Sequence, residues 1–219
     1  MLKKLLKKLK GMSERAPLDP RQFNDPLAEQ IDWTPLKPGG TNIKTHKLRK
    51  IHAQRMEFRC SLSMLLFGGI FFLLGVGVLI GAIIAFFNRT PDTPRGIFVF
   101  LPLFGLIFGA VGFFMLRGAL APRVFDLAHG YYCRDRKKPE HAFDPSTITD
   151  HVRLTEIHAL QLLSEYCRGD KSSYYSYELN LVLKDGSRIN VVDHGGRSAI
   201  QRDARTLSEF LGKPLWAAH

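Results

Sequence analysis

Apolar positions along this chain follow three different patterns. Residues 61–87 (SLSMLLFGGIFFLLGVGVLIGAIIAFF) and 96–116 (GIFVFLPLFGLIFGAVGFFML) are long apolar runs without a charged residue, separated by a polar break at 88–95. Each exceeds the roughly 18–20 residues a helix needs to cross a hydrocarbon core. In a chain of 219 residues, too little polar sequence remains to wrap two such helices as a soluble core. The pattern predicts a two-helix transmembrane hairpin over residues 60–117.

Downstream the period changes from continuous to alternating. Residues 123–127 and 131–136 flank Ala128-His129-Gly130 and predict a β-hairpin, and residues 157–166 (IHALQLLSEY) predict a further strand. Tyr175, Tyr177, Leu179, Leu181 and Leu183 alternate with Ser176, Glu178, Asn180, Val182 and Lys184; Asp185-Gly186 turns the chain, and Ile189 and Val191 continue the alternation. Ser198 is placed to cap a helix whose Ile200, Ala204, Leu207 and Leu211 form one stripe, with Gly212 and Pro214 ending it. Residues 118–219 are thus expected to form an α+β domain, an antiparallel meander closed by a C-terminal amphipathic helix.

Upstream, residues 1–12 (MLKKLLKKLKGM) place Leu2, Leu5, Leu6 and Leu9 on one helical face and Lys3, Lys4, Lys7, Lys8 and Lys10 on the other. Such a basic amphipathic helix suits the surface of an anionic bilayer, with the five lysines as membrane-surface contacts. No uninterrupted apolar core follows the lysines, so it does not read as a signal peptide. Residues 13–59 read as a proline-rich linker followed by a basic juxtamembrane segment. Within it, Leu27, Ile31, Trp33 and Leu36 are more apolar than a spacer requires. A short helix over residues 27–32, docking of Trp33 on the folded domain or at the lipid interface, and plain disorder all stay open.

Charge sharpens this division. The net charge of +11 splits into 14 Lys and Arg against 6 Asp and Glu over residues 1–59, 3 against 1 over 60–122, and 14 against 13 over 123–219. The folded part is nearly neutral, which argues against nucleic-acid binding. Lys44, Lys47, Arg49, Lys50, Arg55 and Arg59 precede the first run, and Arg117, Arg123, Arg134, Arg136, Lys137 and Lys138 follow the second; the connecting loop has only Arg89 and Arg95. By the positive-inside rule both termini are expected in the cytoplasm. Cys60, Cys133 and Cys167 have neither disulfide-framework nor metal-ligand spacing.

Candidate chemistry is sparse. Gly77 and Gly81, and Gly105 and Gly109, are four apart and are expected to let helix backbones approach closely, within the hairpin or in a homo-oligomer. Neither run carries an ionisable group of the kind that marks ion pathways. His46 and His52 read as part of a solvated basic face. Asp193, His194 and Ser198 supply the residue types of a hydrolase triad, but two neighbours in one turn are poorly placed to form it. Gly195-Gly196 reads as an ordinary helix-entry turn. No catalytic residue, cofactor site or metal site is expected, and the chain is not expected to be an enzyme.

The stretches TEIHALQLLSEY, SYELNLVLKDGSRINVVDH and AIQRDARTLSEFLGKPLW, behind a two-helix hairpin, resemble the cytoplasmic end of uncharacterised bacterial inner-membrane proteins that carry a pleckstrin-homology-like (PH-like) domain. The resemblance implies architecture and an inner-membrane location, and no activity. The expected function is that of a non-enzymatic membrane protein whose cytoplasmic domain binds a protein partner or lipid headgroups. The alternative is an accessory subunit of a larger membrane enzyme or transporter. Expected partners are membrane lipids and a protein partner or second copy, and no nucleic acid.

Overall fold

The computed structural model describes residues 18–135, 151–169 and 172–217. The predicted helix over residues 1–12, with its five lysines, lies outside them. The two apolar runs form α2 (Leu62–Phe87) and α3 (Ile97–Leu120), 26 and 24 residues long. At 1.5 Å per residue they span roughly 39 and 36 Å, enough to cross a bilayer. Ser61 caps α2, its hydroxyl accepting from the Met64 N–H at 3.1 Å. Leu73, Ile80, Val99 and Phe114, among many others, point outward from the pair, so these are not the covered helices of a soluble core.

The expected division between a basic flank and a separate downstream domain needs correction. Residues predicted as juxtamembrane segment form β1 (His46–His52) and β2 (Arg55–Cys60). Strand β2 pairs antiparallel with β3 (Arg123–Asp126), so two adjacent strands of one sheet are joined by the whole helical hairpin. The sheet continues through β4 (Tyr131–Arg134) to β5 (Val152–Arg153) in the order β1-β2-β3-β4-β5. Charge hid these strands. Glu57 is buried because Arg55 and Arg59 donate to its two carboxylate oxygens at 2.8 and 2.7 Å, and Met56 and Phe58 take the inward face.

The second sheet contains β6 (Ile157–Arg168), β7 (Ser173–Leu183), β8 (Arg188–His194) and β9 (Leu215–Ala217), in the order β8-β7-β6-β9. Strand β9 runs parallel to β6, an addition to the expected meander. The two sheets do not close into one barrel. Between them lies a core of Phe58, Phe125 and Tyr132 from the first sheet with Leu160, Leu179, Leu181 and Val191 from the second. Helix α4 (Arg197–Leu211) covers this core with Ile200, Ala204 and Leu207, three of the four predicted stripe residues, all fully buried. The helix begins one residue before Ser198; Gly196 is the N-cap, and Ser198 is exposed.

Candidate functional site

Two close associations dominate the molecule. The first is the seam of the hairpin. Gly68, Gly75 and Ala82 on α2 and Gly105, Gly112 and Ala119 on α3 are buried, each set recurring every seven residues. Seven residues are nearly two helical turns, so each set forms one continuous stripe on its helix. A Cβ on Gly75 would stand 2.5 Å from the Gly109 Cα and 2.7 Å from the Gly105 carbonyl oxygen, and one on Gly112 would stand 2.6 Å from the Phe72 Cα. Of the predicted packing residues, Gly105 and Gly109 are in this seam. Gly77 and Gly81 are not; a Cβ on either would meet nothing within 4 Å, because they lie on another face of α2.

The second association covers the outer face of β6–β8. Residues 18–45 form a strap across it, with a 3-10 turn at Pro20–Phe23 and a short helix α1 at Pro26–Gln30 that Asp25 caps. Docking accounts for Leu27, Ile31 and Trp33 but not for Leu36, which is exposed: Phe23 and Trp33 stack at 5.3 Å, and both meet Trp216 of β9. Polar side chains of the sheet then bind the strap's main chain. Glu178 accepts from the N–H groups of Leu36 and Lys37 at 2.8 and 3.0 Å, and Gln161 donates to the Asp32 carbonyl at 3.0 Å. Arg188 donates to the Thr34 carbonyl at 2.9 Å, and Ser176 accepts from the Thr41 N–H at 2.8 Å.

Ser176, Glu178 and Asn180, polar positions in the alternation along β7, are all buried, Glu178 to 4 % exposure, because the strap lies over them. Gly195 has its explanation here as well: a Cβ there would stand 2.6 Å from the Asn42 Cα, so only glycine lets the strap pass. No sequence signal marked this face, since buried and solvated polar residues alternate in the same way.

Where the hairpin enters the sheets, a third group of residues forms the joint. Arg123 and His46 are each 5 % exposed. The Arg123 guanidinium donates to the Val191 carbonyl at 3.0 Å, to the Ala121 carbonyl at 2.8 Å and to Nε2 of His46. Nδ1 of the same imidazole is buried and without a hydrogen-bond partner among the described residues. Burial, with the Arg123 charge adding, pushes His46 down to about 3; burial and the Arg134 charge push Arg123 down to about 10. His46 was predicted on a solvated face and is instead in the core of the joint. Strand β1 puts it there, next to the Ala119 carbonyl 3.1 Å away at the end of α3. A positive Arg123 at this helix C-terminus also suits the helix dipole.

Two of the residues considered for a triad make local bonds of their own. Asp193 accepts from Asn190 Nδ2 at 3.1 Å, and His194 Nδ1 accepts from the Gly196 N–H at 2.8 Å. Burial raises the Asp193 carboxyl and lowers His194. Among the described residues, no three His, Cys, Asp or Glu side chains are grouped so as to hold a metal ion. No protein family, curated protein or solved structure matches this chain.

Proposed function

We propose that this is a non-enzymatic protein of the bacterial inner membrane, with both termini cytoplasmic, whose PH-like cytoplasmic domain binds a protein partner or lipid headgroups. One observation carries the reading: the hairpin is inserted between the paired strands β2 and β3, so the sheets start at the membrane end of the helices without a linker. A domain held this way serves as a fixed platform at the bilayer surface. The PH-like assignment is supported by two mainly antiparallel sheets packed on each other and covered by a helix after the last long strand. The five lysines near the N-terminus would add a second membrane contact.

Crosslinking in native membranes, together with liposome binding, tests the proposal. A captured partner or a headgroup preference is expected. Recovery of the protein alone with no headgroup preference would overturn it. For orientation, Thr93→Cys should be labelled by an impermeant reagent from outside while Cys167 is not, and the reverse pattern would invert the topology.

The second reading, an accessory subunit or homo-oligomer, draws on Gly77 and Gly81, which leave a flat patch on the outside of α2. Gly77→Leu should then shrink the complex in detergent without unfolding the sheets. An unchanged particle size counts against this reading.

A further inference from the structure

Beside the joint, where α2 and α3 meet β4, lies an open cleft of about 610 Å³. Its composition is divided. Phe72, Phe113 and Leu116 give it an apolar lining, and Arg117, Arg134 and Asp135 a charged one. The apolar side continues onto the outer surface of the helices, where Phe113 is about half exposed. Arg117 sits in the last turns of α3, and Arg134 ends β4. We infer that this cleft is a site for one anionic phospholipid, with its phosphate between Arg117 and Arg134 and an acyl chain along Phe72, Phe113 and Leu116. The inference rests on the membrane-spanning reading of the hairpin.

Two arguments choose this occupant. The first is charge: guanidinium groups bind phosphate oxygens through paired N–H donors, and two of them face one cleft. The second is the apolar wall, which a water-soluble anion has no use for and an acyl chain does.

The test uses the full chain purified in mild detergent and loaded with phosphatidylglycerol or phosphatidylcholine. Native mass spectrometry then counts the lipid retained. Wild type should hold one phosphatidylglycerol, preferred over phosphatidylcholine by at least about tenfold, because the choline cation would stand beside Arg117 and Arg134 whereas the glycerol headgroup adds no charge. R117Q/R134Q should hold none, while K47Q/R49Q, altered on β1 away from the cleft, keeps it. Gly118→Leu gives a second, uncharged route. Gly118 lines the same cleft, and a Cβ there meets nothing within 4 Å, so the larger side chain fills the space without disturbing the helix.

Equal retention by wild type and R117Q/R134Q, or equal retention of the two lipids by wild type, would overturn the site. An acidic polypeptide protecting Arg117 and Arg134 in the lipid's place would reassign it to a protein. Release of the protein from membranes by alkaline carbonate would instead overturn the membrane reading, so the two failures are distinguishable.

Discussion

The seam between α2 and α3 and the contact between the strap and the second sheet solve one problem by opposite chemistry. In each, a backbone comes close to another element. At the seam nothing polar is added: Gly75, Gly105 and Gly112 remove side chains, and the main chains touch. Beneath the strap, Glu178, Gln161, Arg188 and Ser176 reach up to satisfy main-chain groups. Backbone hydrogen bonding accounts for the difference. A long apolar helix already satisfies its own backbone, so association depends on close packing. An extended strap has free N–H and C=O groups, and covering them without partners would cost more than the contact gains.

The comparison breaks first at the seam. Gly75→Leu forces α2 away from the Gly109 backbone and should destabilise the hairpin by about 3 kcal/mol or more, whereas Gly77→Leu should leave it intact. Cysteine pairs placed across the seam, and their rate of disulfide formation, would measure this. Equal rates in the two variants would refute the assignment of faces.

The strap should respond to a polar deletion less strongly than the seam responds to a bulky addition. Glu178→Ala leaves the N–H groups of Leu36 and Lys37 without their acceptor and should cost about 2–3 kcal/mol. Faster proteolysis within residues 32–43 and altered Trp33 fluorescence would report it, and an unchanged digest would show that the sheet does not hold the strap.

The joint is sensitive to acid. His46 has an ordinary value of 6.5 and is held down to about 3 in the fold, so below pH 6.5 the unfolded chain takes up a proton that the folded chain refuses. Stability is therefore full above that value and declines as pH falls toward 3; His194, lowered in the same direction, adds to the decline. His46→Gln should flatten the acid limb of a melting-temperature profile, and an unchanged limb would contradict the burial argument. The smallest effect belongs to His158 and Asp25, 2.7 Å apart at the strap's edge and partly exposed. Asp25→Asn keeps the helix cap and should cost only about 0.5 kcal/mol in a denaturant titration.

Much of this architecture could be read from the sequence. The two helices, β6, the β7–β8 hairpin with its Asp185-Gly186 turn, and the stripe of α4 follow the periods of the apolar residues. The seam was half legible: a spacing of four picked out Gly77 and Gly81, while the small residues that meet recur at seven, through Gly68, Gly75 and Ala82. Other features could not be read this way. Lys47, Arg49 and Lys50 read equally well as a membrane flank and as a strand whose charged side chains stay in water, and only pairing with β2 decides between them.

The sequence by itself determined the elements whose burial is local, because a helix stripe or an alternating strand needs only its own period to find an apolar neighbour. Only the tertiary structure decided that β2 and β3, separated by the entire hairpin, lie side by side, that the polar face of β7 is roofed by residues 18–45, and that Arg123 and His46 meet in the joint. Each of these depends on a contact between distant parts of the chain. A charged or polar residue shows the same pattern in sequence whether water or a distant main-chain group receives its hydrogen bonds.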